Sequence, residues 1–174
     1  MSGSLVLLDS VTASSSSTVS LGAGNWDTSY NVYKVVMTGI TPSSDSTNLR
    51  MRVLNSGTAQ TDSNYDRAYL QYRTDTTYGI VATVGGDYWE TTNNSNGTTA
   101  GETAQGIFYL FNFNNTSEFS YITNETTNLT ADPILISVIG AGTHKVASAS
   151  NGLQFFYSSG NIASGIFKLY GLVK

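Results

Sequence analysis

The sequence predicts an all-β chain of the antiparallel sandwich or barrel class. Apolar residues recur at period two in about ten short runs, and turn clusters separate these at the spacing of roughly 8–12 residues typical of such folds. No stretch of 11 or more residues carries helical spacing. Composition agrees: Ser, Thr, Asn and Gly fill roughly 45% of the 174 residues, while the helix formers Glu and Lys supply four each. The length predicts one domain over residues 1–174, and 40% hydrophobic content is enough for one core.

The strands are justified in chain order. Leu5–Thr12 and Ser17–Leu21 open the chain around a Ser-rich bend. Asn31–Thr38 and Asn48–Leu54 follow, and in the second Leu49, Met51 and Val53 share a face opposed by Arg50 and Arg52, the pattern of a half-buried strand. Ala68–Arg73, Gly106–Asn114, Glu118–Thr123, Pro133–Ile139, Leu153–Tyr157 and Ile166–Val173 complete the set. Between them lie Leu21–Gly24, Pro42–Ser46, Asn55–Gly57, Gly85–Asp87, Asn151–Gly152 and Ser158–Asn161, rich in residues that tolerate positive φ or bond their own backbone. Gly106–Asn114 and Leu153–Tyr157 are apolar on both parities, so each is expected to be central in the sandwich or covered outside by another subunit. Gly85–Glu102 is the longest segment without strand pattern, expected to be a functional or mobile loop carrying Tyr88 and Trp89.

Charge excludes several functions. Only 11% of residues are charged and the net charge is -4, the wrong balance for a protein that neutralises phosphates, so no nucleic-acid partner is expected. Without cysteine there is no disulfide, zinc–thiolate site or thiol nucleophile. No apolar run approaches the ~20 residues that span a bilayer, and the N-terminus lacks the basic start of a signal peptide; a soluble protein made in the cytosol, with no membrane partner, is the expectation.

Candidate chemistry is sparse. His144 is the only histidine and would have to serve as the base of any Ser-His-Asp triad; its surroundings, Gly140-Ala-Gly-Thr-His-Lys145, read instead as an exposed turn. Glu90, Glu102, Glu118 and Glu125 could pair for glycoside hydrolysis, but their type and spacing fit solvated surface acids. Asp62-Ser-Asn-Tyr-Asp66 opens like a calcium loop, then fails where Arg67 replaces the required glycine and Arg73 the bidentate acid. The reading is therefore of no enzyme, no metal and no cofactor. Trp26, Tyr65, Tyr78, Tyr88 and Trp89 sit in polar, glycine-containing surroundings, which suits loop packing or a subunit interface better than sugar stacking.

The segment from Asn151 to Leu172, with Ser159-Gly-Asn-Ile162 returning as Gly165-Ile-Phe-Lys-Leu-Tyr-Gly171, resembles the closing strand pair of small virion proteins of tailed bacteriophages. Ser4–Ala13 and Trp26–Lys34 are similar to the same group, of marine and cyanophage type. The resemblance implies a jelly-roll β-sandwich of about 8–10 strands, usually trimeric, located on the virion, and no catalytic residues. It fits two roles. One is a capsid decoration or cement protein bound to the major capsid protein or another virion protein. The other is a tail- or head-fibre tip that contacts host glycans. The domain begins within a few residues of Met1 with no preceding shaft, which favours decoration. The residues expected at interfaces are Leu5, Val6, Leu7 and Leu8 on the first strand, Tyr88 and Trp89 in the long loop, and Phe108 and Phe156 on the two-faced strands.

Overall fold

The computed structural model describes residues 4–92 and 95–172, and among them the chain forms thirteen strands and no helix. They are β1 (Leu5–Ser16), β2 (Val19–Leu21), β3 (Val32–Pro42), β4 (Leu49–Asn55), β5 (Thr58–Ala59) and β6 (Tyr65–Arg73). β7 (Tyr78–Gly86), β8 (Trp89–Glu90), β9 (Ala104–Phe111), β10 (Ser120–Leu129), β11 (Leu135–His144), β12 (Gly152–Tyr157) and β13 (Ile162–Leu172) follow. All ten expected strands are present; β5, β7 and β8 are additional, so the count exceeds the 8–10 expected. Val173, at the end of the expected last strand, and Asn93 and Asn94 of the expected loop lie outside the described residues.

The architecture is an antiparallel β-sandwich. One sheet has eight strands in the order β1-β13-β3-β9-β10-β11-β6-β7; the other runs β2-β12-β4-β5, with β8 paired to β4. Its core follows from the alternation in sequence. β3 buries Tyr33, Val35 and Met37, β4 Leu49, Met51 and Val53, and β12 Leu153, Phe155 and Tyr157. Phe155 of the smaller sheet lies 4.8 Å, ring to ring, from Phe167 of β13 and 6.5 Å from Phe108 of β9, so aromatic side chains join the two layers. The larger sheet extends beyond the smaller one, and there Tyr69, Ile136 and Val138 form a separate small cluster.

Two strand expectations are refined. β9 is flanked by β3 and β10, and β12 by β2 and β4, so both two-faced strands are central in their sheets. β12 and β13 do not form a hydrogen-bonded pair: Ser158–Asn161, with Gly160 at φ 73°, carries the chain from one sheet to the other, which places one closing strand in each layer.

Burial raises the phenol pKa of Tyr33, Tyr65, Tyr69 and Tyr157, that of Tyr69 to about 12, because the phenolate would lose its hydration. A raised tyrosine pKa stabilises the fold fully below the unfolded value near 10, and that contribution is lost as pH climbs towards the folded value. Between about pH 10 and 12 the protein is expected to unfold cooperatively, tyrosinate absorbance rising together with loss of β-sheet dichroism. Ionisation of these phenols with the dichroism intact would contradict the packing described.

Candidate functional site

Two faces of the sandwich carry unusual side chains. The first is the outer face of the eight-stranded sheet. Residues directly opposite one another share a face, so the register defines a row across all eight strands: Ser10, Lys168, Val36, Ile107, Glu125, Ile139, Leu70 and Ile80. A second row runs Leu7, Tyr170, Lys34, Tyr109, Thr123, Ala141, Ala68 and Ala82. Tyr72 and Tyr78 stand opposite each other at the far edge. Much of this is open to solvent: Ile139 is 48% exposed, Tyr78 76% and Ile80 79%. Within the two rows the charged residues are Lys34, Lys168 and Glu125. Shallow grooves flank Glu125 on both sides, one lined by Val36, Ile107 and Ile139, the other by Ile107, Tyr109 and Thr123. The Lys34 ammonium lies 5.6 Å from the centre of the Tyr109 ring.

The second is the outer face of the smaller sheet, where it meets β6. Arg50 and Arg52 point outward from β4, as their alternation with Leu49, Met51 and Val53 dictates. Register places Phe156 and Glu90 on either side of Arg50. Tyr88, from the link between β7 and β8, completes the cluster. The Arg50 guanidinium stacks 4.1 Å above its ring, that of Arg52 lies 4.5 Å above Phe156, and the two rings meet edge to face at 6.2 Å. Arg67 reaches in from the larger sheet and donates to Glu90 Oε2 at 2.9 Å, while Asn48 donates to Glu90 Oε1 at 2.9 Å. Arg52 donates through Nη2 to Asp87 Oδ2 at 2.8 Å and through Nε to the Asp87 carbonyl.

Of the residues expected at an interface, the structure brings Tyr88 and Phe156 together in this cluster. Leu5, Val6 and Leu7 are exposed on β1, an edge strand that pairs only with β13 among the described residues, whereas Leu8 is partly buried against the core. Phe108 and Trp89 offer no surface to a partner. Phe108 points inward from β9, and the buried Trp89 indole packs against Gly142, where a Cβ would come within 2.6 Å of its nitrogen. Residues 85–92 and 95–102 are correspondingly not an open loop: Trp89, Thr91, Thr92, Asn96 and Glu102 are buried, and Thr91 and Asn96 are bonded to Thr126 and Thr130 of the larger sheet's margin.

His144 is also corrected. It ends β11 rather than occupying a turn, is buried, places Nε2 3.0 Å from Asp62 Oδ1, and packs against Tyr65 with ring centres 4.5 Å apart. Its cross-strand neighbour Ser120 is equally buried, and the contact with Asp62 ties the 60–64 turn to the sheet. The acids of Asp62–Asp66 diverge, Asp62 to His144 and Asp66 to Gly85 N and Lys145 Nζ, and no acid or histidine cluster fit for a metal occurs among the described residues. Glu90, Glu102 and Glu118 each have separate partners, in the arginines, the Thr99 amide and the Asn112 amide. What sequence reasoning missed is the arginine cluster. Its visible signal was the outward parity of Arg50 and Arg52; the stacking partner Tyr88 lies too far along the chain for pattern to pair them. No protein-family model matches the chain, and no curated protein or solved structure shows significant similarity to it.

Proposed function

We propose that this chain is a non-catalytic virion subunit of a tailed bacteriophage, a homotrimeric capsid decoration protein that cements the head through contacts with the major capsid protein or another virion protein. The observation that carries the reading is the outer face of the eight-stranded sheet, with its exposed Tyr, Ile and Leu side chains and only three charges in the two central rows. Monomeric proteins rarely leave so continuous an apolar surface uncovered. A second copy fits it by charge. The lysines stand on β3 and β13 and the lone acid on β10, so the lysine half of one subunit complements the acidic half of the next. Head-to-tail packing of this kind forms a ring when the rotation between neighbours closes, and a rotation of one third of a turn gives the proposed trimer. The virion assignment rests on the resemblance of residues 151–172 and of the two N-terminal segments. With each added contact to a lattice effectively intramolecular, a trimer binds a capsid far more tightly than a single subunit does. Quantitative densitometry of purified particles tests the role. Hundreds of copies per virion are expected, and copies in the tens would identify a fibre subunit instead.

A further inference from the structure

We infer that the Arg50–Tyr88–Phe156 face of the smaller sheet is a binding site for an acidic polypeptide segment, whose carboxylates take the unused hydrogen-bond donors of Arg50. This face lies on the opposite side of the sandwich from the apolar one and does not depend on the role proposed above. Three of the chain's four arginines converge here, against two acids, Asp87 and Glu90. The cluster is thus a local cationic surplus in a chain of net charge -4.

The two acids are already committed. Asp87 belongs to Arg52, and both Glu90 oxygens accept hydrogen bonds, one from Arg67 and one from Asn48. Arg50 Nε stays 3.7 Å from Glu90 Oε1, beyond hydrogen-bond reach, and although buried it has no hydrogen-bond partner among the described residues. Its guanidinium lies 4.1 Å from the centre of the Tyr88 ring and its side chain is 25% exposed, so the group is braced by the ring and partly open to solvent. A fork held in this way loses little freedom on pairing with a carboxylate. Polypeptide is favoured over sugar because guanidinium groups already occupy a face of both rings, so hydrogen-bond donors rather than stacking surfaces are on offer. Arg, Tyr and Phe are also the side chains enriched where proteins meet.

Fluorescence-anisotropy titration with labelled hexaglutamate tests this, with hexaglutamine and a galacturonate oligomer as the other probes. Hexaglutamate is expected to bind and hexaglutamine not. Arg50→Gln should weaken binding by about tenfold, the scale of one charge-assisted hydrogen bond. Arg50→Lys should restore only part, since an ammonium neither stacks flat nor pairs through two donors. Lys34→Gln, on the opposite face, should leave affinity unchanged. Equal affinity in wild type and Arg50→Gln, or no binding by wild type, would overturn the inference. So would tighter binding of the galacturonate, which would make the ligand a carboxylated glycan, or dispersal of the oligomer by Arg50→Gln, which would make it a second copy.

Discussion

Replacing Glu90 with leucine is expected to destabilise the fold by about 3–5 kcal/mol, the usual cost of removing one member of a buried ion pair. Glu90 and Arg67 have side chains only 10% and 11% exposed, and Glu90 also receives Asn48. Without the carboxylate, Arg67 keeps its charge in a site where Nε and Nη1 already lack hydrogen-bond partners among the described residues. Removing both charges is a different matter. The pair Glu90→Leu with Arg67→Met removes the two most buried charges together and leaves Arg50, 25% exposed, to the Tyr88 ring and solvent; replacements of a buried ion pair are often neutral. Urea denaturation of both variants checks this: the single change should lower the midpoint sharply and the double change should recover most of it. A single variant with an unchanged midpoint would mean that Glu90 is solvated and that the cluster does not join the two sheets.

The second large effect concerns assembly. If the trimer proposed above forms, lysine at both Ile107 and Ile139 is expected to leave folded monomers in its place. These side chains flank Glu125 directly across the ladder, so each new ammonium finds an acid within its own subunit. Both project outward from the sheet, Ile139 being 48% exposed, and the core beneath them is untouched. What is lost is the apolar contact with a neighbour: about 1.5–3 kcal/mol for each fully covered side chain, repeated at every interface of a ring. Unfolding of the variant would place these residues in the fold; retention of the oligomer would place the interface elsewhere.

The strands were legible because period two survives wherever one face is buried and the other is wet, as in Leu49, Met51 and Val53 against Arg50 and Arg52. Parity was not legible where both faces are apolar. In β9, Phe108 and Tyr109 are adjacent and equally apolar in pattern, yet Phe108 fills the core and Tyr109 is 36% exposed. β7 is hidden in the sequence because Gly85 and Gly86 read as a turn, while its outward Ile80 and Val84 lack the polar alternation of an ordinary surface strand. Gly140 and Gly142 misled in the same way, making the end of β11 look like a turn around His144. Within the sheet they are close-approach positions: a Cβ on Gly140 would fall 2.3 Å from Tyr69 Cβ, and Gly142 makes room for the Trp89 ring. Small residues that permit tertiary contact cannot be told from turn residues without the strand that lies against them. The arginine cluster shows the same limit, since it is assembled from β4, β6, β12 and the link before β8, distant in sequence and joined only by the register of the sheets.

Sedimentation velocity of the full chain at micromolar concentration tests the central claim, that the outer face of the eight-stranded sheet is an intersubunit surface. A single species of three times the chain mass, reduced to the chain mass by the lysine pair at Ile107 and Ile139, is the predicted result. A monodisperse monomer of the unaltered chain would contradict it.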